Sequence, residues 1–516
     1  MTRAEPVVVS CPGKVLVAGG YLVLDRNHKG FVISTPSRFY TVVQEQNSSE
    51  SDQSSFSDSQ TEERKVKLSV KSPQFDDGVW EYEATRRDGE WHVAEVGSQG
   101  SSNSFVHLSL QSTLQVATAL SPSSKINDLL ITIVGSNDFY SQSREDGTPI
   151  PFAPLNCTIR NVHKTGLGSS AAMVTSLTSS LFLHWTSSNT TSNPSPETVQ
   201  LMHNLAQYVH SLAQGKIGSG FDVSAAVYGS QVYRRFDVKC LGDLLESDKN
   251  SETTISSQSL LSVLSPSHND LWTSSTTSAA VSSFSLPPHL TLLLADVDAG
   301  SNTPSMVGKV LAWKKSQPEE SERVWNELSR ANEVLREVFD ELRKESEEGG
   351  GEGYRNLIGE LSRIKASEWY SSSASFARAT STILRIRKLM REMGEASNVP
   401  IEPPSQSKLL NAISEIDGVV GAGVPGAGGY DAIWVLCLTP SSSAESTSNS
   451  STPLEKVQDL LTSWKEMSVR PLSRNAWVKG TESGKVGSER GLLREKLENV
   501  EGLREAVERA KRQERK

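Results

Sequence analysis

The chain has few cysteines, and they show no paired spacing. Only Cys11, Cys157, Cys240 and Cys437 occur in 516 residues, and none belongs to a CxxC pair. Neither a structural zinc site nor a disulfide framework is therefore suggested. We therefore expect free thiols in a reducing compartment.

Long apolar runs are also missing. No stretch approaches the roughly 18 uninterrupted apolar residues of a membrane span, and Glu5, Pro6 and Lys14 interrupt any signal-peptide core. The net charge of −9 argues against a general binder of nucleic acid or anionic membrane. We expect a soluble cytoplasmic protein, a monomer or homodimer, without nucleic-acid or membrane partners. Anionic small molecules remain compatible with a small basic pocket.

Several catalytic signatures are absent as well. The chain contains no Walker A motif, no HRD or DFG triplet, and no HExxH spacing among its nine histidines. Gly421, Gly423 and Gly426 do satisfy the Rossmann pattern GxGxxG. Pro425 lies inside that pattern, however, and the strand-like AIWVLCL follows where a helix should begin. We interpret the match as coincidental, which leaves an NAD-binding oxidoreductase as a distant alternative.

Serine-rich tracts interrupt the patterned segments. They occupy residues 47–60, 187–196, parts of 247–283, and 441–453. Such segments hold too few apolar residues to build a core. We expect them to be solvated surface insertions.

Hydrophobic periodicity predicts a mixture of strands and helices. Strands are predicted at 31–43, at 155–163, at 290–297 and in a hairpin of 65–75 with 79–84. An apolar stripe predicts a long helix after Pro318, and a second helix is predicted over about 367–393. From about residue 488, interleaved acids and bases predict a charged helix, solvated or frayed.

The run KTGLGSSAA, residues 164–172, is the most informative stretch. Gly166 and Gly168 allow backbone N–H groups to approach an oxyanion, and the helix predicted to follow adds its positive N-terminal end. Ser169 and Ser170 stand where a hydroxyl caps the helix, bonds a phosphate or binds Mg²⁺. Taken alone, a capped helix after a glycine turn is the simpler interpretation.

Two other segments share this small-residue chemistry. They are PGKVLVAGGYLVL, residues 12–24, and GVPGAGGYDAI, residues 423–433. In this order, the three segments resemble the signature motifs of the GHMP kinases, the superfamily of galactokinase, homoserine kinase, mevalonate kinase and phosphomevalonate kinase. Three segments are similar to the phosphomevalonate kinase branch, and most of all to its fungal members: AGVPGAGGYDA, residues 296–313 and residues 401–410. One departure is Gly20, where many relatives carry an acidic residue.

The resemblance implies a fold and an activity. The fold is α+β, with an N-terminal nucleotide-binding domain over 1–285, a C-terminal domain over 286–485 and a charged helical tail over 486–516. The activity is transfer of the ATP γ-phosphoryl group to (R)-5-phosphomevalonate, in the mevalonate pathway to isoprenoids and sterols such as ergosterol. A kinase for mevalonate or another small molecule is the nearest alternative. A non-catalytic sensor on the same fold is the alternative from another class.

The resemblance also implies site residues. Lys14 would neutralise charge on the reacting phosphates, and Asp222 matches the aspartate regarded as the base in mevalonate kinase. The ATP phosphates would be held by Lys164, Thr165, Gly166, Leu167, Gly168, Ser169, Ser170, Ala171 and Ala172, with Mg²⁺ on Ser169 or Ser170. The acceptor would be held by Lys14, Lys216, Gly218, Ser219, Gly220, Gly426, Gly428 and Gly429, and by two weaker candidates, Ser301 and Ser305, whose alternative role is helix capping.

A phosphate acceptor changes what Asp222 has to do. An alcohol acceptor needs a base, but a phosphate monoester with a second pKa of about 6 is mostly dianionic at neutral pH. Repulsion between that dianion and ATP then becomes the larger problem, which favours Lys14 and Mg²⁺ as the main catalytic contributors. We predict that Asp222→Asn loses less activity than Lys14→Met.

Overall fold

The computed structural model describes residues 5–46, 65–96, 102–141, 150–186, 194–250, 255–272, 282–297, 303–440, 451–481 and 490–513. Its strands are β1 Val7–Ala18, β2 Lys29–Glu45, β3 Lys65–Lys71, β4 Val79–Arg87, β5 Glu90–Glu95, β6 Leu129–Gly135, β7 Gln231–Arg234, β8 Ser282–Ser283, β9 Leu290–Val297, β10 Val419–Gly423, β11 Ala432–Leu438, β12 Val469–Pro471, β13 Val478–Lys479 and β14 Leu493–Glu495. Its helices are α1 Ser104–Leu120, α2 Ser169–Thr186, α3 Pro196–Ala213, α4 Phe221–Tyr228, α5 Lys239–Asn250, α6 Ser257–Leu264, α7 Thr303–Ser316, α8 Pro318–Glu347, α9 Glu352–Leu361, α10 Ala374–Ser397, α11 Pro404–Ser414, α12 Pro453–Ser463 and α13 Leu503–Arg512.

Two sheets organise these elements. In the described residues, the first sheet follows the order β14-β1-β2-β6-β3-β4-β5, with β7 and β8 continuing from β2. Its pairs are antiparallel except for β3 with β6. The second sheet follows the order β10-β11-β9-β12, and β13 also pairs with β9. Helices α1, α2 and α3 contact one another, and α2 also packs on β1 and β2. The sheets and helices form the α+β fold expected from the sequence.

Most predicted elements are confirmed. The segment 31–43 lies in β2, and β3 pairs with β4 as the predicted hairpin. The long helix after Pro318 is α8, whose stripe from Val324 to Leu342 is buried. The second predicted helix starts later than expected, because a short 3-10 turn at Ala366–Ser371 precedes α10. The Rossmann-like glycines begin in β10 and are followed by β11, so no dinucleotide-binding turn forms there.

The strand predicted at 155–163 is wrong. This segment forms turns, and Asn156 has a φ of 51°, which interrupts an extended backbone. Its polar groups bind the turn between β3 and β4, where the Ile159 N–H donates to Asp77 and the Asp76 N–H donates to the Cys157 carbonyl. These contacts satisfy the backbone without a neighbouring strand.

The predicted C-terminal helix is present, but the expectation that it is solvated or frayed is wrong. The segment first adds β14 to the edge of β1, and its helix begins only at Leu503. Leu503, Ala506, Val507 and Ala510 are buried, because their spacing places them on one face of α13. That face packs with residues of β1, β2 and β6. The charged side chains that dominate the composition lie on the other face.

The serine-rich tracts fall largely on 47–64, 187–193, 251–254, 273–281 and 441–450, which lie outside the described residues. One part of the third tract forms helix α6, which buries Leu260, Leu261 and Leu264. In the parts of the chain described above, no helix is long and apolar enough to cross a membrane.

Candidate active site

Lys14 lies near the middle of β1, where the pairing with β2 shifts register between Pro12 and Lys14. Gly13 is needed at this irregularity, since a Cβ there would lie 2.9 Å from Thr35 Oγ1 and 3.0 Å from the Leu167 carbonyl oxygen. The Lys14 N–H donates to that same carbonyl at 2.9 Å. The first motif is thus bonded directly to the second.

The Lys14 ammonium faces both the glycine loop and α4. Its Nζ donates to the Gly166 carbonyl at 3.0 Å and lies 5.3 Å from the Phe221 ring centroid. Burial lowers the pKa of Lys14, and the nearby Asp222 carboxylate raises it in opposition. Asp222 therefore helps to keep this lysine charged.

The glycine loop is shaped around the lysine. Gly166 and Gly168 have φ values of 76° and 77°, a conformation that glycine adopts without strain. A Cβ on Gly168 would lie 2.8 Å from Lys14 Cε, whereas one on Gly166 would meet nothing within 4 Å. Gly168 is therefore required both for its conformation and for the space that Lys14 fills. Helix α2 begins at the next residue.

The remaining residues of the predicted donor loop have different surroundings. The side chains of Leu167, Ala171 and Ala172 are buried and do not contact a phosphate, and the Ala172 N–H already donates to the Gly168 carbonyl at 3.1 Å, while Lys164 is exposed. Ser170 Oγ lies 3.1 Å from His210 Nε2, and the Gln214 side-chain amide lies 3.0 Å from the same ring nitrogen. Among the described contacts, none engages the Ser169 hydroxyl. This histidine contact was not predicted, because it joins residues distant in sequence.

Asp138, which belongs to no sequence motif, is hydrogen-bonded to the glycine loop. Thr165 Oγ1 donates to the Asp138 carbonyl at 2.6 Å. The Asp138 carboxylate accepts bonds from the Ser473 N–H and hydroxyl, both at 3.0 Å, and from Ser37 Oγ at 3.4 Å. Through Asp138, Ser473, which follows β12 of the second sheet, is therefore linked to the glycine loop beside the first sheet.

Asp222 lies in the first turn of α4, where a carboxylate interacts favourably with the helix dipole. One of its oxygens accepts the Val223 N–H at 3.0 Å, and the side chain is half-buried. Gly220 precedes the helix with a φ of 77°. Lys216 is exposed at the start of this loop.

The third motif packs against the first. The Gly426 N–H donates to the Leu16 carbonyl at 3.0 Å, and the Tyr21 hydroxyl donates to the Ala427 carbonyl at 2.9 Å. A Cβ on Gly428 would lie 2.1 Å from the Ile401 carbonyl oxygen, which also accepts the neighbouring N–H of residue 429 at 2.8 Å. The segment 401–410 therefore supports this loop.

The unusual glycine at position 20 has a structural reason. A Cβ there would lie 2.7 Å from Met390 Cε and 3.6 Å from the Gly426 carbonyl oxygen. Met390 fills the space that an acidic side chain would need. The two weaker candidates differ in placement, because Ser301 lies outside the described residues, whereas Ser305 is exposed in the first turn of α7.

A buried ion cluster behind the third motif was not predicted. The Glu402 carboxylate is fully buried and accepts two bonds from Arg387 at 2.7 and 3.0 Å and one from Arg391 at 2.7 Å. Ser407 Oγ donates to the same carboxylate at 2.8 Å. These bonds hold the pKa of Glu402 below its usual range, although burial opposes them. The sequence signal was a glutamate before two prolines, which has no obvious pairing partner.

The fold, with the second and third small-residue motifs bonded to the strand that carries Lys14, is that of a GHMP-type small-molecule kinase. The model of the GHMP kinases N terminal domain matches residues 155–230, which include the glycine loop and Asp222. The phosphomevalonate kinase of Aspergillus fumigatus is 37% identical over 451 residues, covering 83% of this chain and 86% of that protein. The peroxisomal phosphomevalonate kinase of Arabidopsis thaliana is 36% identical over 477 residues, covering 84% and 90%.

Solved structures support the fold. A Streptococcus pneumoniae phosphomevalonate kinase in complex with phosphomevalonate and AMPPNP superposes with a TM-score of 0.52 at 15% identity, over 92% of this chain and 99% of that one. The Lin0012 protein of Listeria innocua gives a TM-score of 0.57 at 14% identity, over 91% and 97%. The chain belongs to the phosphomevalonate kinase family.

Proposed function

We propose that the chain transfers the γ-phosphoryl group of ATP to (R)-5-phosphomevalonate, giving (R)-5-diphosphomevalonate and ADP in the mevalonate pathway. The observation that carries this proposal is the convergence on β1. Lys14 Nζ contacts the Gly166 carbonyl of the second motif at 3.0 Å, while the Leu16 carbonyl accepts the Gly426 N–H of the third at 3.0 Å. The second and third motifs are therefore both bonded to one short segment of β1, two residues apart.

The donor phosphates would bind at the glycine loop, residues 164–172. Free backbone N–H groups and the N-terminal end of α2 favour negative charge there. Mg²⁺ would be held by the ATP phosphates, water and the hydroxyl of Ser169 or Ser170, because this cation prefers oxygen ligands and retains several waters. Its chemistry would be to neutralise charge on the phosphoryl group in transfer. The Ser170 hydroxyl also lies 3.1 Å from His210 Nε2, a contact that helps to orient it at the start of α2.

The acceptor would bind between the loop that precedes α4 and the third motif. Gly218, Ser219 and Gly220 would line one side and Gly426, Gly428 and Gly429 the other, with Lys216 as an additional cation. An acceptor dianion approaching ATP suffers strong repulsion, and the ammonium of Lys14 would offset it. Asp222 then acts by keeping Lys14 charged and in place, consistent with its effect on the pKa of that lysine.

Side-by-side assays with mevalonate and phosphomevalonate test this function. ADP release would be followed by a coupled spectrophotometric assay, with each acceptor at saturation and ATP with Mg²⁺ in excess. We expect turnover with phosphomevalonate alone. Turnover with mevalonate alone would overturn the acceptor assignment, and turnover with neither, despite ATP binding, would favour a sensor.

We also propose the two-domain division at residues 285 and 485 and action in the cytoplasm. The four cysteines are free thiols, as a reducing compartment requires. The name of the Arabidopsis relative places that protein in the peroxisome. Imaging of a tagged chain against a peroxisomal marker would separate the two compartments.

A further inference from the structure

The backbone loop that precedes α4 accepts hydrogen bonds from side chains at its carbonyl oxygens. We call residues 217–220 the acceptor loop. One Arg235 guanidinium nitrogen donates to the carbonyls of Ile217 and Gly218, at 3.3 and 2.6 Å. Its other terminal nitrogen donates to the Leu24 carbonyl at 2.7 Å. Arg235 thus joins the acceptor loop to the segment that follows the first motif.

Two further side chains hold the rest of the loop. The Tyr233 hydroxyl donates to the Ser219 carbonyl at 2.5 Å, and the Gln207 amide donates to the Gly220 carbonyl at 2.7 Å. Both donors are buried, on β7 and α3 respectively. The loop also packs closely here, because a Cβ on Gly220 would lie 2.6 Å from the Phe236 ring. All the carbonyls of the acceptor loop are therefore directed at protein donors.

These hydrogen bonds to the carbonyls also fix the direction of the N–H group in each peptide. In a planar trans peptide, the N–H of the next residue points away from the carbonyl before it. The N–H groups of residues 218–221 therefore point away from the three donor side chains, Gln207, Tyr233 and Arg235. Within the described parts of the chain, none of them has a protein acceptor. The ring of Phe221, at the end of this run, lies beside the Lys14 ammonium.

We infer that Gln207, Tyr233 and Arg235 are positioning residues that hold the acceptor loop with its N–H groups, and not its carbonyls, available to the anionic acceptor. This inference rests on the proposed function. A carbonyl oxygen turned toward a phosphate dianion would repel it, whereas an N–H group would bind it. Loss of one hydrogen bond from these side chains to a carbonyl of the acceptor loop lets that peptide rotate, so the acceptor is bound less tightly. The ATP loop, 164–172, is unchanged.

Tyr233→Phe tests the inference with the smallest change. Removing one hydroxyl-to-carbonyl bond, normally worth about 1 kcal/mol, should raise the Kd and KM for phosphomevalonate about fivefold. The KM for ATP should stay within twofold of wild type, a margin set by about 0.4 kcal/mol. Tyr354→Phe is the matched control, because that buried hydroxyl donates to the Pro288 carbonyl at 3.2 Å, outside the site.

Arg235→Lys provides a second, independent test. Lysine keeps the charge but cannot reproduce the planar fork that reaches three carbonyls. Its control is Arg509→Lys, since Arg509 donates to the Phe152 carbonyl at 2.6 Å on the far C-terminal helix. Calorimetric titration with phosphomevalonate in the absence of ATP measures acceptor binding without turnover, and thermal unfolding compares each variant with its control.

The outcomes are distinct. The inference predicts weakened acceptor binding only in the Tyr233 and Arg235 variants, whatever loss of thermal stability each variant shares with its control. Equal acceptor affinity in Tyr233→Phe and Tyr354→Phe, with an active wild type, would overturn the inference. A parallel rise in the KM for ATP would overturn it as well. A wild type that neither binds nor phosphorylates phosphomevalonate would instead refute the proposed function.

Discussion

Lys14→Met should lower kcat far more than Asp222→Asn. The lysine Nζ is held 3.0 Å from the Gly166 carbonyl, at the start of the loop proposed to hold the ATP phosphates. A unit charge about 4 Å from a phosphate oxygen is worth about 4 kcal/mol at an effective dielectric constant of about 20, which corresponds to about a thousandfold in rate. Methionine keeps most of the packing volume and removes that charge.

Asp222→Asn should cost about tenfold, because the acceptor arrives already deprotonated and needs no base. Its larger effect should be on pH dependence. Burial lowers the pKa of Lys14 and Asp222 raises it, so removing the carboxylate lowers the pKa of Lys14 further. Activity requires charged Lys14, and the alkaline limb of the kcat/KM profile should therefore move to lower pH in Asp222→Asn.

Single-turnover and steady-state rates between pH 7 and 10 would measure both effects. Circular dichroism would confirm that the variants are folded, and the KM for ATP would separate binding from chemistry. A larger loss in Asp222→Asn than in Lys14→Met would refute the charge-neutralisation argument. So would an alkaline limb that stays in place when the carboxylate is removed.

Three further predictions concern the third motif, the buried ion cluster and the C-terminal helix. Gly426 and Gly428 both have positive φ values, but a Cβ on Gly426 would meet nothing within 4 Å, while one on Gly428 would lie 2.1 Å from a carbonyl oxygen. Gly426→Ala should therefore lower the free energy of unfolding in denaturant by about 1 kcal/mol, and Gly428→Ala should lower it by more. Equal losses of unfolding free energy in the two variants would contradict this. The lowered pKa of Glu402 contributes stability above its unfolded pKa that is lost as pH falls. Glu402→Gln should therefore cost about 3 kcal/mol at pH 7, with the difference from wild type narrowing as the pH falls below about 4.5, the ordinary pKa of a glutamate, and a difference that stays constant below that pH would contradict this. Leu503→Ala should cost about 3 kcal/mol because the side chain is fully buried, whereas the exposed Leu120→Ala should be neutral, and equal effects would show that the C-terminal helix contributes no core.

The sequence predicted the parts of the fold in which local pattern and burial agree. The stripe of α8 and the hairpin of β3 and β4 follow directly from periodicity. The segment 155–163 has the same alternation but forms turns, because its polar groups find partners on a distant loop. In α13, composition suggested solvent exposure, whereas four apolar residues at helical spacing are enough to bury one face.

The site was predictable only where chemistry is written in small residues. Lys14 and the glycine loops stand in contiguous motifs that few other functions share. The supporting contacts of Asp138, His210 and Arg235 join residues far apart in the chain, and each is an ordinary polar residue in its own segment. Such partners emerge only when the fold brings the elements together.

The most direct test of the central claim is phosphorus NMR of the product that the wild-type chain makes from ATP and 5-phosphomevalonate. The account predicts that the acceptor's single phosphorus resonance is replaced by two coupled resonances of a diphosphate, as ADP accumulates in equal amount. Formation of ADP with inorganic phosphate, while the phosphomevalonate resonance stays unchanged, would contradict it.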